Sequence, residues 1–120
     1  MLASMRDIND RNEVMGKRLS RIATRTGDDG TTGLGDGSRT GKDDQRIAAM
    51  GDVDELNAVI GVLLAESLPA TMAAMLVEVQ HDLFELGGEL CIPGYENLAT
   101  ERIDWLDAML AESNAGLPAL

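Results

Sequence analysis

Aromatic side chains are almost missing from this chain: its 120 residues hold one Phe, one Tyr and one Trp. Any core must therefore be aliphatic, drawn from Leu, Ile, Val, Ala and Met. The stacked aromatic platforms used to hold single-stranded nucleic acid are excluded. Cysteine is equally scarce. With Cys91 alone, neither an internal disulfide nor a cysteine-based zinc site can form, and a reducing compartment suits the chain. Cys91 reads as buried filler, and the single histidine, His81, as a surface or capping residue, so no metal ligand set is expected. Ten basic residues face 21 acidic ones, a formal charge of −11, which argues against a nucleic-acid partner or an anionic membrane surface. No apolar run approaches the roughly 18 residues of a membrane span, and the first residues lack the apolar centre of a signal peptide. The expectation is a cytoplasmic protein without membrane or nucleic-acid contacts.

What is present divides sharply at Lys42. From Thr24 to Lys42 the sequence carries six glycines (Gly27, Gly30, Gly33, Gly35, Gly37, Gly41), hydroxyl side chains, and Arg25, Arg39 and Lys42, with Leu34 the only large apolar residue. Neither a helix nor a strand accounts for such a run, because glycine weakens both. Glycines do let backbone N–H groups turn inward around an anion, hydroxyls donate to oxygens, and Arg or Lys neutralises charge. That is phosphate chemistry, although composition by itself favours a solvated linker. Standard nucleotide and calcium motifs fail here. A P-loop needs glycine where Asp36 stands and Ser or Thr where Asp43 stands. The dinucleotide fingerprint meets Ser38 at its last glycine, and a calcium loop from Asp28 would place Arg39 at the bidentate glutamate.

Beyond Lys42 the pattern is helical. Asp43 or Asp44 can cap a helix expected over 44–66, with acidic residues suiting its first turn. Ala49, Val53, Leu56, Ile60 and Leu63 form its apolar seam, and Gly51 and Gly61 mark close helix packing. Pro69 suits the start of a second helix with the seam Met72, Leu76, Val79, Leu83, Leu86 and Leu90, broken at Pro93-Gly94 after Cys91. Glu78, Glu85 and Glu89 fall on its other faces. A third helix is expected from Thr100 to about Glu112, burying Ile103, Leu106 and Leu110 with Trp105 and Met109 at the flanks. Three such helices make a bundle. Residues 1–17 read as a disordered extension, Leu19 to Ala23 as an extended lead-in, and 18–120 as one domain.

Three segments in order carry a resemblance: Thr24-Arg-Thr-Gly-Asp-Asp-Gly-Thr-Thr, Gly41-Lys-Asp-Asp, and Gly51-Asp-Val-Asp-Glu-Leu-Asn57, continued by Ile60-Gly61. They closely resemble the PduO-type ATP:cob(I)alamin adenosyltransferases, over Arg21 to Leu120. The resemblance implies an all-α, five-helix bundle with a glycine-rich ATP-binding loop, a homotrimer with its active site between subunits, and transfer of the 5′-deoxyadenosyl group of MgATP to cob(I)alamin with release of triphosphate. By position, Thr24, Arg25, Thr26, Gly27, Thr32 and Gly33 would line the ATP phosphates. Lys42 would be the phosphate-binding lysine and Asp54 an aspartate pairing with an arginine across the subunit boundary; these two would be the catalytic residues. Arg25 stands where lysine is common in the family, which keeps the charge and changes the donor geometry. The family's Phe-Ile-Leu-Pro-Gly-Gly loop and its Arg-Arg-x-Glu-Arg helix have no counterpart here. The expectation is a chain truncated at its C-terminus, with about three helices of five and incomplete for catalysis. The alternative is a non-catalytic nucleotide-binding or helical interaction module.

Overall fold

The computed structural model describes residues 22–118. The extension expected over 1–17, and most of the lead-in over 19–23, lie outside them. Three helices follow a small hairpin: β1 (Thr31–Gly33), β2 (Arg39–Gly41), α1 (Gln45–Leu64), α2 (Ala70–Cys91) and α3 (Glu101–Ala115).

The hairpin corrects the expectation that no strand explains the glycine-rich run. β1 and β2 pair antiparallel, with Thr31 opposite Gly41, Thr32 opposite Thr40 and Gly33 opposite Arg39. The Asp36-Gly37-Ser38 turn makes this possible. Gly37 adopts a positive φ of 86°, and the Asp36 carboxylate accepts from the Ser38 amide at 2.9 Å and its hydroxyl at 2.6 Å. Turn chemistry of this kind sets a hairpin even where the strands are poor in β-formers.

α1 begins at Asp44, whose Oδ1 accepts from the Arg46 amide at 2.8 Å. This is an N-cap in the expected place. The acidic first turn expected after it is absent: none of its residues is acidic. α1 and α2 pack along one another, and Ile60 is the only buried side chain among the described residues. The α1 seam is rotated from the expected one. Val53, Asn57, Ile60 and Leu64 turn inward, whereas Leu56 and Leu63 are exposed. The cause lies in the sequence, since α1 is apolar on two faces and only one of them meets α2. Gln80 on α2 closes the seam by donating to the Asn57 carbonyl at 3.0 Å. It lies over Gly61, where an added Cβ would come within 3.5 Å of its amide. That is an ordinary contact, and Gly51 has open space around it, so neither position requires glycine for close packing as expected.

α2 keeps Leu76, Val79, Leu83, Leu86 and Leu90 on its covered side and leaves Met72 exposed. It ends at Cys91 as expected. Glu85 and Glu89 then fasten the following loop: Glu89 accepts from the amides of Asn97 and Leu98, both at 2.5 Å, and Glu85 accepts from the Asn97 side chain at 2.6 Å. Those donors hold the Glu89 carboxyl below the usual carboxylate range, Leu98 contributing most. The α3 expectation is reversed. Ile103, Leu106 and Leu110 are exposed, while Arg102, Trp105 and Met109 form the more covered face. An ion pair decides the rotation: Arg102 donates twice to Asp82 of α2, at 2.7 and 2.8 Å, and lies over the Trp105 ring at 4.2 Å.

Candidate functional site

The glycine-rich segment is built onto the ends of α1 and α2. A helix end leaves carbonyls without intrahelical donors, and here the loop supplies them. The Gly35 amide donates to the Cys91 carbonyl at 2.8 Å, and Arg46 Nη1 donates to the Leu90 carbonyl at 2.8 Å. Only glycine fits at position 35, because a Cβ there would lie 2.6 Å from Ile92 Cγ1 and 3.2 Å from Cys91 Sγ. On the other side, the Thr40 hydroxyl donates to the second carboxylate oxygen of Asp44 at 3.0 Å. The N-cap of α1 therefore also anchors β2.

Within this frame the segment from Thr24 to Gly30 folds back over the hairpin. Arg25 sits in the left-handed region, φ 58°, at the start of a turn closed by Asp28 N donating to Arg25 O at 3.2 Å. A non-glycine residue in that region carries local strain, which accumulates at functional sites. The Thr24 hydroxyl accepts from the Thr26 amide at 3.4 Å and from the Thr26 hydroxyl at 2.9 Å. Lys42 reaches back across the hairpin, and a Cβ added at Gly27 would stand 3.1 Å from both its Cε and its Nζ, and 2.8 Å from the Thr31 carbonyl. An ammonium thus stands over a bare glycine backbone, in the segment that also carries the paired Thr24 and Thr26 hydroxyls. Such a segment holds the kinds of donor that an anion of several oxygens takes.

Of the expected site residues, Gly27 and Lys42 lie against one another, Thr24 and Thr26 are joined by a hydrogen bond, and Arg25 lies in the turn between them. Thr32 and Gly33 lie in β1. Strand alternation puts Thr32 on the opposite face from Thr31, across from Thr40 and away from Thr26. Asp54 stands apart on α1, where it lines a groove between α1 and α2 of about 230 Å³ with Met50, Asn57, Gly87 and Cys91. Cys91 is half-buried and is the common member of both halves, touching the loop at Gly35 and the groove below it. It is therefore not fully buried filler. The sequence shows Arg39 and Gly35 only as members of the glycine-rich run, and gives no role to Arg46. One signal did exist for Arg46, because a cation at a helix N-terminus opposes the helix dipole and calls for a partner elsewhere.

The sequence profile of the cobalamin adenosyltransferase family matches residues 22–120. The chain belongs to that family. It is 63% identical over 107 residues to a cobalamin adenosyltransferase of Cupriavidus metallidurans, covering 88% of this chain and 58% of that one. It is 47% identical over 114 residues to a corrinoid adenosyltransferase of Mycobacterium tuberculosis, covering 88% and 59%. Among solved structures, a variant PduO-type ATP:corrinoid adenosyltransferase from Lactobacillus reuteri, complexed with cobalamin and ATP, superimposes with a TM-score of 0.74 at 28% identity. That match covers 83% of this chain and 60% of the other. This member of the cobalamin adenosyltransferase family thus spans about three fifths of the length of the relatives it matches.

Proposed function

We propose that this chain supplies the nucleotide-binding part of an ATP:corrinoid adenosyltransferase. One observation carries the reading: the Lys42 ammonium lies against the Gly27 backbone, in a segment that carries the paired Thr24 and Thr26 hydroxyls and is fixed through its hairpin to the ends of two helices. A triphosphate fits that surface in charge and in donor chemistry. The relatives' names and the ATP and cobalamin bound to the Lactobacillus reuteri protein support the same substrates. Magnesium travels with the phosphates in this reading, since the described residues hold no group of three metal-ligating side chains, and Mg²⁺ is commonly held mainly by phosphate oxygens.

The reaction asks little covalent chemistry of the protein. The reduced cobalt of the corrinoid substrate attacks C5′ of ATP. A cobalt–carbon bond forms, the C5′–oxygen bond breaks, and triphosphate leaves with the electron pair. The residues present would hold the triphosphate, keep C5′ in line and offset the negative charge that builds on the leaving group. Lys42 and Arg25 suit the last task. Asp54, at the groove, would take an arginine from a neighbouring subunit, in keeping with a homotrimer whose site lies between subunits. A cytoplasmic setting suits a single-cysteine chain acting on a strongly reduced substrate.

Calorimetric titration with MgATP tests the reading. Micromolar binding that falls at least about tenfold in Lys42→Ala is expected, the size of losing one charge-assisted contact. No magnesium-dependent heat would favour the helical interaction module instead.

A further inference from the structure

Three hydrogen bonds leave one exposed guanidinium in the hairpin. Arg39 Nη2 donates to the Thr26 carbonyl at 2.9 Å and to the Thr31 hydroxyl at 2.5 Å, and Arg39 Nε donates to the same hydroxyl at 3.1 Å. Asp29 stands behind them, 4.0 Å from Nη2. It accepts from the Thr31 amide at 3.0 Å and from the Thr31 hydroxyl at 2.8 Å. Nε and Nη2 of Arg39 are thus spent on protein acceptors eight and thirteen residues away in sequence.

We propose that Arg39 is a positioning residue for the nucleotide loop, clasping the Thr26 carbonyl so that the Gly27 amide is presented to the phosphates. Peptide geometry links the clasp to the amide. The Thr26 carbonyl and the Gly27 N–H belong to one planar trans unit and point in opposite directions, and no cis bond interrupts the described chain. Fixing the carbonyl toward Arg39 therefore aims the Gly27 N–H away from it. Lys42 stands over the open Cβ side of Gly27, and in this proposal the ammonium and the freed amide serve the same ligand. Lysine cannot reproduce the clasp, because its ammonium lacks the planar fork that spans two acceptors. The side chain is 42% exposed, so its loss opens no cavity and leaves the helices intact.

This inference rests on the nucleotide reading, and the test separates the two. The chain and its Arg39→Gln, Arg39→Lys, Thr31→Val and Arg39→Gln/Thr31→Val variants are titrated with magnesium triphosphate and with MgATP by calorimetry, with helix content and thermal midpoint followed by circular dichroism. Both Arg39 variants are expected to bind both ligands roughly tenfold more weakly at unchanged helix content. The double variant should be no weaker than Arg39→Gln alone, since both changes open one clasp. Parent-like binding by Arg39→Lys would reduce the residue to a charge, and additive losses would make it a direct phosphate ligand; either overturns the positioning role. Unchanged binding by Arg39→Gln overturns it and leaves the nucleotide reading standing. Absence of binding by the parent removes both.

Discussion

Lys42 and Gly27 are 15 residues apart and meet because nothing occupies the space where a Cβ would be. A methyl at position 27 would press on the Thr31 carbonyl, which is backbone and cannot yield, and would push the Lys42 head aside. Gly27→Ala is therefore expected to weaken MgATP binding about tenfold while the far-ultraviolet circular dichroism spectrum stays that of the parent. Parent-like affinity would mean that Lys42 need not lie over Gly27 to hold the ligand. At this scale the sequence was legible where chemistry is local. The Asp43/Asp44 pair announces a helix cap, and Asp44 is that cap. Arg39 and Gly35 were legible only as members of the glycine-rich run and Arg46 not at all, because their partners lie elsewhere in the chain. Arg46, for instance, finds its acceptor 44 residues away, and no periodicity encodes that distance.

At the scale of elements, Asp44 does two jobs: it caps α1 and accepts from Thr40. Asp44→Ala should lower the unfolding free energy by about 1 kcal/mol, and Asp44→Asn by less, because asparagine caps almost as well. Urea denaturation measures both, and an Ala variant as stable as the parent would show that the cap is idle. The loop after α2 depends on ionised Glu89. Its carboxyl is held below the usual range by the Leu98 and Asn97 amides, so its stabilisation is complete above the ordinary glutamate value, roughly pH 4, and is lost as the pH falls through the lowered one. Amide exchange at Asn97 and Leu98 should therefore accelerate relative to the α2 core in strongly acidic buffer, and Glu89→Gln should show the faster exchange already at neutral pH. Equal protection in Glu89→Gln would assign the loop's order to other contacts. Helix positions were readable from period and caps. Helix orientation was not, because α1 carries two apolar faces and an ion pair, Arg102 with Asp82, turns α3 against its own apolar stripe.

The whole molecule leaves a large apolar surface open. Val59, Val62, Ile103 and Leu110 are each about 60–70% exposed, and withdrawing such a side chain from water is worth on the order of 1.5–3 kcal/mol. Single exposed apolar residues are ordinary, but these recur along two helices, and exposed apolar patches favour association. Sedimentation of the 120-residue chain should therefore show concentration-dependent association, shifted toward monomer by Val62→Glu with Ile103→Glu; a parent that stays monomeric at high concentration would contradict this. Among the described residues, the hairpin is held by α1 and α2. The most direct test of the account is a backbone-amide NMR titration of this chain with magnesium triphosphate. Saturable shifts confined to residues 24–42 and to Leu90 and Cys91 are predicted; shifts centred on α3, or none in the hairpin, would contradict it.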